Sequence, residues 1–153
     1  MKGQSNDAKK YLERIKWCDV MIDSKLEELG RLNDLVKKIT PVMSDTSGNG
    51  SGNQDKLGET IAKIVDLKEE VNNDTDKFID LKHEANALLE QIERPEYYQI
   101  LHKRYIQYKS LEKIAGELNY SWRWVCKLHG RALQAFEKVM KKAATQKTGH
   151  ISS

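Results

Sequence analysis

Apolar residues recur every seven positions over two long stretches of the chain. From about residue 6 to residue 40 the repeat forms two rows, Ala8, Ile15, Ile22, Leu29 and Val36 in one and Tyr11, Cys18, Leu32 and Ile39 in the other. From about residue 55 to residue 94 it recurs at Leu57, Ile64, Val71, Phe78, Ala85 and Ile92, with Leu67, Leu81 and Leu88 between them. A seven-residue repeat places apolar side chains on one seam of an α-helix. The pattern therefore predicts two long helices with matching apolar seams.

The segment between the two repeats, residues 41–54, is predicted to be a flexible loop. It begins with Pro41, which disfavours a helix interior, and it is rich in Gly, Ser and Asn. A loop of this length can reverse the chain, so the economical packing is an antiparallel, coiled-coil-like hairpin ~50 Å long. Seam residues bury equally well against a second copy, so the pattern also leaves open a homodimer through the N-terminal helices.

The pattern changes after residue 93 and predicts three shorter helices. Pro95 suits a first helical turn, and Ser110 and Ser121 are candidate caps for the next two helices. Apolar residues then form an inward stripe on each helix: Tyr98, Leu101, Tyr105 and Ile106; Leu111, Ile114, Ala115 and Leu118; and Val125, Leu128, Ala132, Leu133 and Phe136.

The second and third of these helices meet the requirements of a helix-turn-helix. The motif needs a small residue where its helices touch and a turn residue that tolerates a left-handed backbone, and Ala115 and Asn119 meet these needs. The predicted fold is all-α, with an N-terminal helical hairpin over residues 1–93 and a helix-turn-helix bundle over 94–142. Residues 143–153 are predicted to be a disordered tail.

Charge divides the chain at the same place as the helical pattern. Residues 1–93 contain 14 Lys and Arg against 19 Asp and Glu, a net charge of −5. Residues 94–153 contain 12 Lys and Arg against 4 Asp and Glu, a net charge of +8. Such asymmetry indicates a polyanionic partner for the C-terminal part alone, and with a helix-turn-helix that partner is double-stranded DNA.

The candidate DNA-binding residues lie at the starts of the last two helices. The inward stripe of the third helix leaves Trp122, Arg123, Trp124, Lys127 and Arg131 outside, where recognition helices meet base edges, and Ser121 caps this helix. Arg123 can read guanine bidentately, whereas Lys127 and Arg131 suit phosphates. Ser110 and Lys113, at the start of the preceding helix, are placed to contact the DNA backbone.

The string SLEKIAGELNYSWRWVCKLHGRALQAF, residues 110–136, resembles region 4 of the sigma-70 family of transcription factors, and PEYYQILHKRYI resembles the helix that opens that region. The resemblance implies that Trp122, Arg123, Trp124, Lys127 and Arg131 stand at DNA-contacting positions, and that RNA polymerase is a partner. Residues 1–93 lack the aromatic-rich, basic module with which a sigma factor melts a promoter. The whole chain resembles small phage and prophage proteins of Gram-positive bacteria related to the RinA and ArpU late-gene regulators.

The leading hypothesis is a sequence-specific transcriptional regulator of phage or prophage type. The alternative is a protein-interaction adaptor, binding RNA polymerase or a phage assembly partner, whose helix-turn-helix does not read DNA. The chain shows no phosphate-binding loop, no cluster of metal ligands and no nucleophile paired with a base, so we expect neither an enzyme nor a cofactor or metal. Without a membrane span or an apolar signal stretch, we expect the protein in the bacterial cytosol.

Overall fold

A computed structural model describes residues 2–45 and 50–151 of the chain. The α-helices in these ranges are α1 (Lys2–Asp45), α2 (Gly50–Leu89), α3 (Pro95–Leu101), α4 (Leu111–Leu118) and α5 (Trp122–Ile151), and a short π-helix, His102–Ile106, continues from α3. No strand occurs in the described ranges, which confirms the predicted all-α class. Within the same ranges, no helix is both long and apolar enough to cross a bilayer.

Residues Cys18–Phe78 form one compact unit, here called the hairpin unit. In it the seam residues Ile22, Ile39 and Ile64 are buried, as the seven-residue repeat predicts. Lys25 and Asp74 occupy the seam positions at which the repeat lacks an apolar residue, and their charged atoms are 2.5 Å apart. The pair joins α1 to α2 within one chain, in antiparallel order. A charge pair inside an apolar seam favours the helix alignment in which the two charges meet.

The second compact unit, here called the helix-turn-helix unit, combines Met1–Trp17 with Ile79–Ser153. The first turns of α1 belong to its core, because Leu12 and Ile15 are fully buried there. The rings of Tyr11 and Phe136 lie 5.8 Å apart, centre to centre, and the Tyr11 hydroxyl donates a 2.6 Å hydrogen bond to Glu84. This unit therefore contains residues both from the acidic part of the chain, before residue 94, and from the basic part after it.

The α4–turn–α5 segment has the local geometry that the sequence predicts. The Ser110 and Ser121 hydroxyl oxygens cap the two helices by accepting hydrogen bonds from the backbone N–H groups of Lys113 and Trp124, each 3.1 Å long. Asn119 ends α4 in the left-handed conformation, with φ 59° and ψ 39°. The helices enclose a buried cluster of Ile100, Ile114, Ala115, Val125 and Leu128.

The helix that precedes this motif, α3, does not bury all the residues of its predicted apolar stripe. Ile100 lies outside that stripe but is fully buried, whereas Tyr98 is only half-buried. Ile100 belongs to the buried cluster with residues of α4 and α5, and helical spacing within α3 does not show these contacts. The π-helix then widens the turn that follows α3. Its turn is closed by a 3.1 Å hydrogen bond from the Gln107 N–H to the His102 carbonyl, and Tyr105 returns to the buried face.

Two predicted irregular segments are largely helical. α1 continues through Pro41 to Asp45 and α2 begins at Gly50, so the predicted loop 41–54 is wrong at both ends; its middle, residues 46–49, lies outside the described residues. Proline has a φ near the helical value, so it removes one hydrogen bond without ending the helix. The pattern did not predict the first turn of α2 because that turn carries no apolar repeat.

The predicted disordered tail, residues 143–153, is likewise wrong for the part that the structure describes. α5 runs on to Ile151, and the Thr145 hydroxyl donates a 2.9 Å hydrogen bond to the Lys141 carbonyl. The apolar stripe stops before this segment, but Ala143, Ala144 and Lys147 are strong helix formers. The helix propensity of these residues therefore extends α5 beyond the point where its apolar repeat ends. Residues 152 and 153 lie outside the described residues.

Candidate nucleic-acid interface

The first three turns of α5 present one polar and aromatic face to solvent. Val125, Leu128 and Ala132 form the opposite, buried row, as their spacing predicts. Burial of that row fixes the rotation of the helix about its axis and turns the intervening residues outward. The exposed face is therefore a consequence of the same apolar spacing that builds the core.

All eight residues predicted to contact DNA are exposed: Ser110, Lys113, Ser121, Trp122, Arg123, Trp124, Lys127 and Arg131. The structure brings the last six together at the start of α5 and places the first two at the start of α4. Ser110 and Ser121 also have a structural role, because each hydroxyl oxygen caps its helix. A hydroxyl that accepts a capping bond still has its hydrogen to donate, for example to a phosphate oxygen.

Three cations form a row along this face. Arg123, Lys127 and Arg131 follow one another at four-residue intervals, so the row spans ~12 Å of helix length. Among the residues that the structure describes, none of the three forms an ion pair with a carboxylate. Their positive charge is therefore available to an anionic partner.

Two other cations of this unit share one carboxylate within it. Lys103 and Lys109 approach the Glu117 carboxylate at 2.7 and 2.9 Å. These hydrogen bonds and the two positive charges lower the pKa of Glu117 to about 2, so the carboxylate stays ionised and offsets one of the two lysine charges. Arg123, Lys127 and Arg131 on α5 have no such carboxylate among the described residues.

The two tryptophans of this face have different surroundings. The guanidinium of Arg131 lies 5.6 Å from the centre of the Trp124 ring, which is the geometry of a cation–π contact. Trp122 is 56% exposed, against 39% for Trp124, and no ring contact involves it among the described residues. Trp124 thus supports a neighbouring cation, whereas the indole of Trp122 is free to meet a ligand.

His129 lies on the inner side of the same helix and attaches it to the π-helix. Its Nε2 is 2.8 Å from the Tyr105 hydroxyl, and the two rings stack at 5.7 Å. Burial, with the positive charges of Arg104 and Lys9, lowers the pKa of His129 to about 4. Burial raises the pKa of Tyr105 to about 12, so both groups stay neutral at physiological pH. The pair is a structural contact that orients α5.

The sequence interpretation did not include two further cations on α5, Lys138 and Lys142. With Arg131 and Arg94 they surround a groove on the helix-turn-helix unit. Lys138 follows Arg131 by seven residues and Lys142 follows Lys138 by four, so both continue the row on one helix face, and this signal is visible in the sequence. The predicted DNA contacts on α5 stop at Arg131, because only the first turns of a recognition helix reach into a DNA groove.

Comparison with known proteins gives a family. Residues 37–137, two thirds of the chain, match the family described as protein of unknown function, DUF1492, and the chain belongs to that family. The matched segment contains all of α2, α3 and α4 and the first half of α5. No curated protein and no solved structure matches the chain.

Proposed function

We propose that this DUF1492 protein is a sequence-specific, double-stranded DNA-binding transcriptional regulator of phage or prophage type. In this proposal the start of α5 enters the major groove and the start of α4 lies on the sugar–phosphate backbone. The observation that carries the proposal is the row Arg123, Lys127 and Arg131. These cations are exposed and unpaired among the described residues, and they lie on the second helix of a helix-turn-helix.

The residues of the interface have distinct roles. Arg123, in the first turn of α5, reads a base edge, and a bidentate contact with guanine is the commonest specific contact of arginine. Lys127 and Arg131, further along the helix, bind phosphates and supply affinity without sequence choice. The free indole of Trp122 contacts an apolar group such as a thymine methyl or a deoxyribose.

The backbone contacts come from the start of α4. The Ser110 cap leaves the first N–H groups of this helix pointing towards an approaching anion, and the helix dipole favours negative charge there. Lys113 adds a positive charge in the first turn. Two helix N-termini and the cationic row then hold the duplex from two sides.

Titration of a labelled DNA duplex at several salt concentrations tests the proposal. The Lys127→Ala/Arg131→Ala variant is compared with Lys141→Ala/Lys147→Ala, which removes the same charge from exposed positions near the end of the same helix. We expect the first variant to reduce the slope of log affinity against log salt by about one for each lost phosphate contact. The second variant should bind almost as wild type does.

Two outcomes would contradict the proposal. Equal loss of affinity in both variants would mean that total charge, and not the α5 face, attracts the DNA. Absence of salt-sensitive binding by the wild-type protein at micromolar concentration would favour the adaptor hypothesis, because a basic unit of this kind should bind DNA at least nonspecifically.

A further inference from the structure

An open groove of about 460 Å³ lies on the helix-turn-helix unit, between residues 91–97 and the middle of α5. Four half-buried residues give it an apolar surface: Ile92, Tyr97, Ala135 and Val139. Ile92 is the last residue of the α2 seam repeat, but α2 ends at Leu89, so this side chain lines the groove and not a helix seam.

The rim of this groove is strongly positive. It carries the side chains of Arg94, Arg131, Lys138 and Lys142, against the one carboxylate of Glu93. Arg94 is held in place by a 3.2 Å ion pair with Glu96 and by its position 4.9 Å from the centre of the Tyr97 ring. Lys138 and Lys142 are exposed and form no ion pair among the described residues. Two of the four cations that border the apolar surface, Lys138 and Lys142, are therefore not neutralised by a carboxylate among the described residues.

We propose that this groove docks an acidic segment of a partner protein that also carries apolar side chains. The cationic rim complements carboxylates, and burial of apolar side chains on the inner surface supplies the remaining binding free energy. A volume of this size accommodates a few side chains of a peptide. The groove shares Arg131 with the proposed DNA-binding row, but its apolar lining and its other cations lie outside that row.

The composition of the groove favours a peptide over nucleic acid. Phosphates and sugars gain little from contact with Ile92, Ala135 and Val139, whereas apolar peptide side chains gain by leaving water. Beyond the shared Arg131, the two cations that continue the row lie farther along α5 than a DNA groove would reach. Lys138 and Lys142 lie ~22 and ~28 Å along the helix from Arg123, beyond the turns that enter a major groove.

The probe for the test is a short fluorescent peptide in which glutamates alternate with leucine and phenylalanine. Two peptides serve as controls, one with lysine in place of glutamate and one of glutamate alone. We expect saturable binding of the first peptide only, with NMR shifts at the amides of Ile92, Tyr97 and Val139. Reversal of charge in Lys138→Glu/Lys142→Glu should weaken this binding about tenfold or more, since like charges then meet across the rim.

The matched control is Lys141→Glu/Lys147→Glu, which makes the same charge change on the same helix outside the groove. It should bind the probe peptide within about twofold of wild type. Circular dichroism must show that both variants remain helical. Equal weakening in the two variants, or equal binding of polyglutamate, would overturn the proposal because attraction would then be to total charge.

Absence of saturable peptide binding would also overturn the proposal. If Lys138→Glu/Lys142→Glu instead lowered only duplex affinity, and did so more than its control, the groove would be an extension of the DNA surface. Because peptide and DNA are titrated separately, loss of the groove interaction and loss of DNA binding are distinguishable results.

Discussion

The guanidinium of Arg131 lies over the indole of Trp124, two helical turns earlier on α5, at 5.6 Å from the ring centre. The contact keeps a long, exposed side chain on the outer face of the helix, beside Lys127. An arginine held in this way loses less rotamer freedom when it binds a phosphate. Trp124 is thus a positioning residue for a cation of the proposed DNA interface.

Replacement of Trp124 by alanine should weaken binding of all duplexes alike. An exposed cation–π contact is worth ~0.5–1 kcal/mol, and since only its ordering of Arg131 contributes to binding, the loss of affinity should be at most about two- to fivefold. Fluorescence anisotropy with duplexes of several sequences measures the change. Trp17→Ala is the matched control, because Trp17 is exposed and lies on α1. Equal affinity of wild type and Trp124→Ala for every duplex would contradict the positioning role.

The half-buried His129 predicts a dependence of stability on pH. Its pKa in the folded protein is lowered to about 4 by burial and by nearby positive charges, whereas an unfolded chain has the ordinary value of 6.5. Between these values the unfolded chain binds more protons, so the free energy of unfolding must fall as the pH falls. The full contribution is present above the unfolded pKa and is progressively lost below it.

Denaturation in urea from about pH 7 to about pH 5, where carboxylates stay ionised, measures this effect. His129→Gln should flatten the dependence. Burial also lowers the pKa of His102, which should leave a smaller residual slope in that variant. His83→Gln, at an exposed position, should keep the slope of the wild-type protein. If His129→Gln also kept it, the assignment of the pH effect to His129 would be wrong.

The left-handed Asn119 predicts a selective response of the helix-turn-helix to substitution. Asn119→Ala should reduce the free energy of unfolding by ~1 kcal/mol, because a Cβ without a hydrogen-bonding side chain disfavours this conformation. Asn119→Gly should be close to wild type, since glycine adopts positive φ readily. Thermal unfolding measures the stability of the two variants. Asn33→Ala is the control, because Asn33 lies within a helix. Equal stability of Asn119→Ala and Asn119→Gly would exclude this explanation.

Glu137 is the clearest place to stabilise the protein. Its side chain is buried, with 6% exposure, and one carboxylate oxygen, Oε2, has no hydrogen-bond partner. Burial of an unsatisfied polar atom costs ~1–3 kcal/mol, so Glu137→Met should raise the free energy of unfolding by ~1 kcal/mol or more. Lys141→Met, one turn further along and exposed, should change it little. A less stable Glu137→Met variant would indicate that the carboxylate has a partner.

Local features of the fold were predictable because nearby residues determine them. The seams of α1 and α2, the serine caps and the left-handed Asn119 follow from spacing and backbone chemistry alone. The outward face of α5 followed from its inward stripe. For the same reason, all eight candidate DNA contacts are exposed.

Features that depend on distant contacts were not predictable. Leu12 and Leu89 each lie one position outside the seam and are nonetheless fully buried within the helix-turn-helix unit. The sequence shows only that each leucine lies beside a seam. It does not identify the element against which the leucine packs. The groove at Ile92 likewise depends on how the segment after α2 packs beside α5, which periodicity cannot show.

Selection of bound fragments from a pool of random DNA duplexes tests the central claim most directly. The account predicts that the wild-type protein enriches a defined sequence, and that Arg123→Ala loses preference at one base pair while other positions stay as they were. A pool that stays random after repeated selection with the wild-type protein would contradict sequence-specific binding by α5.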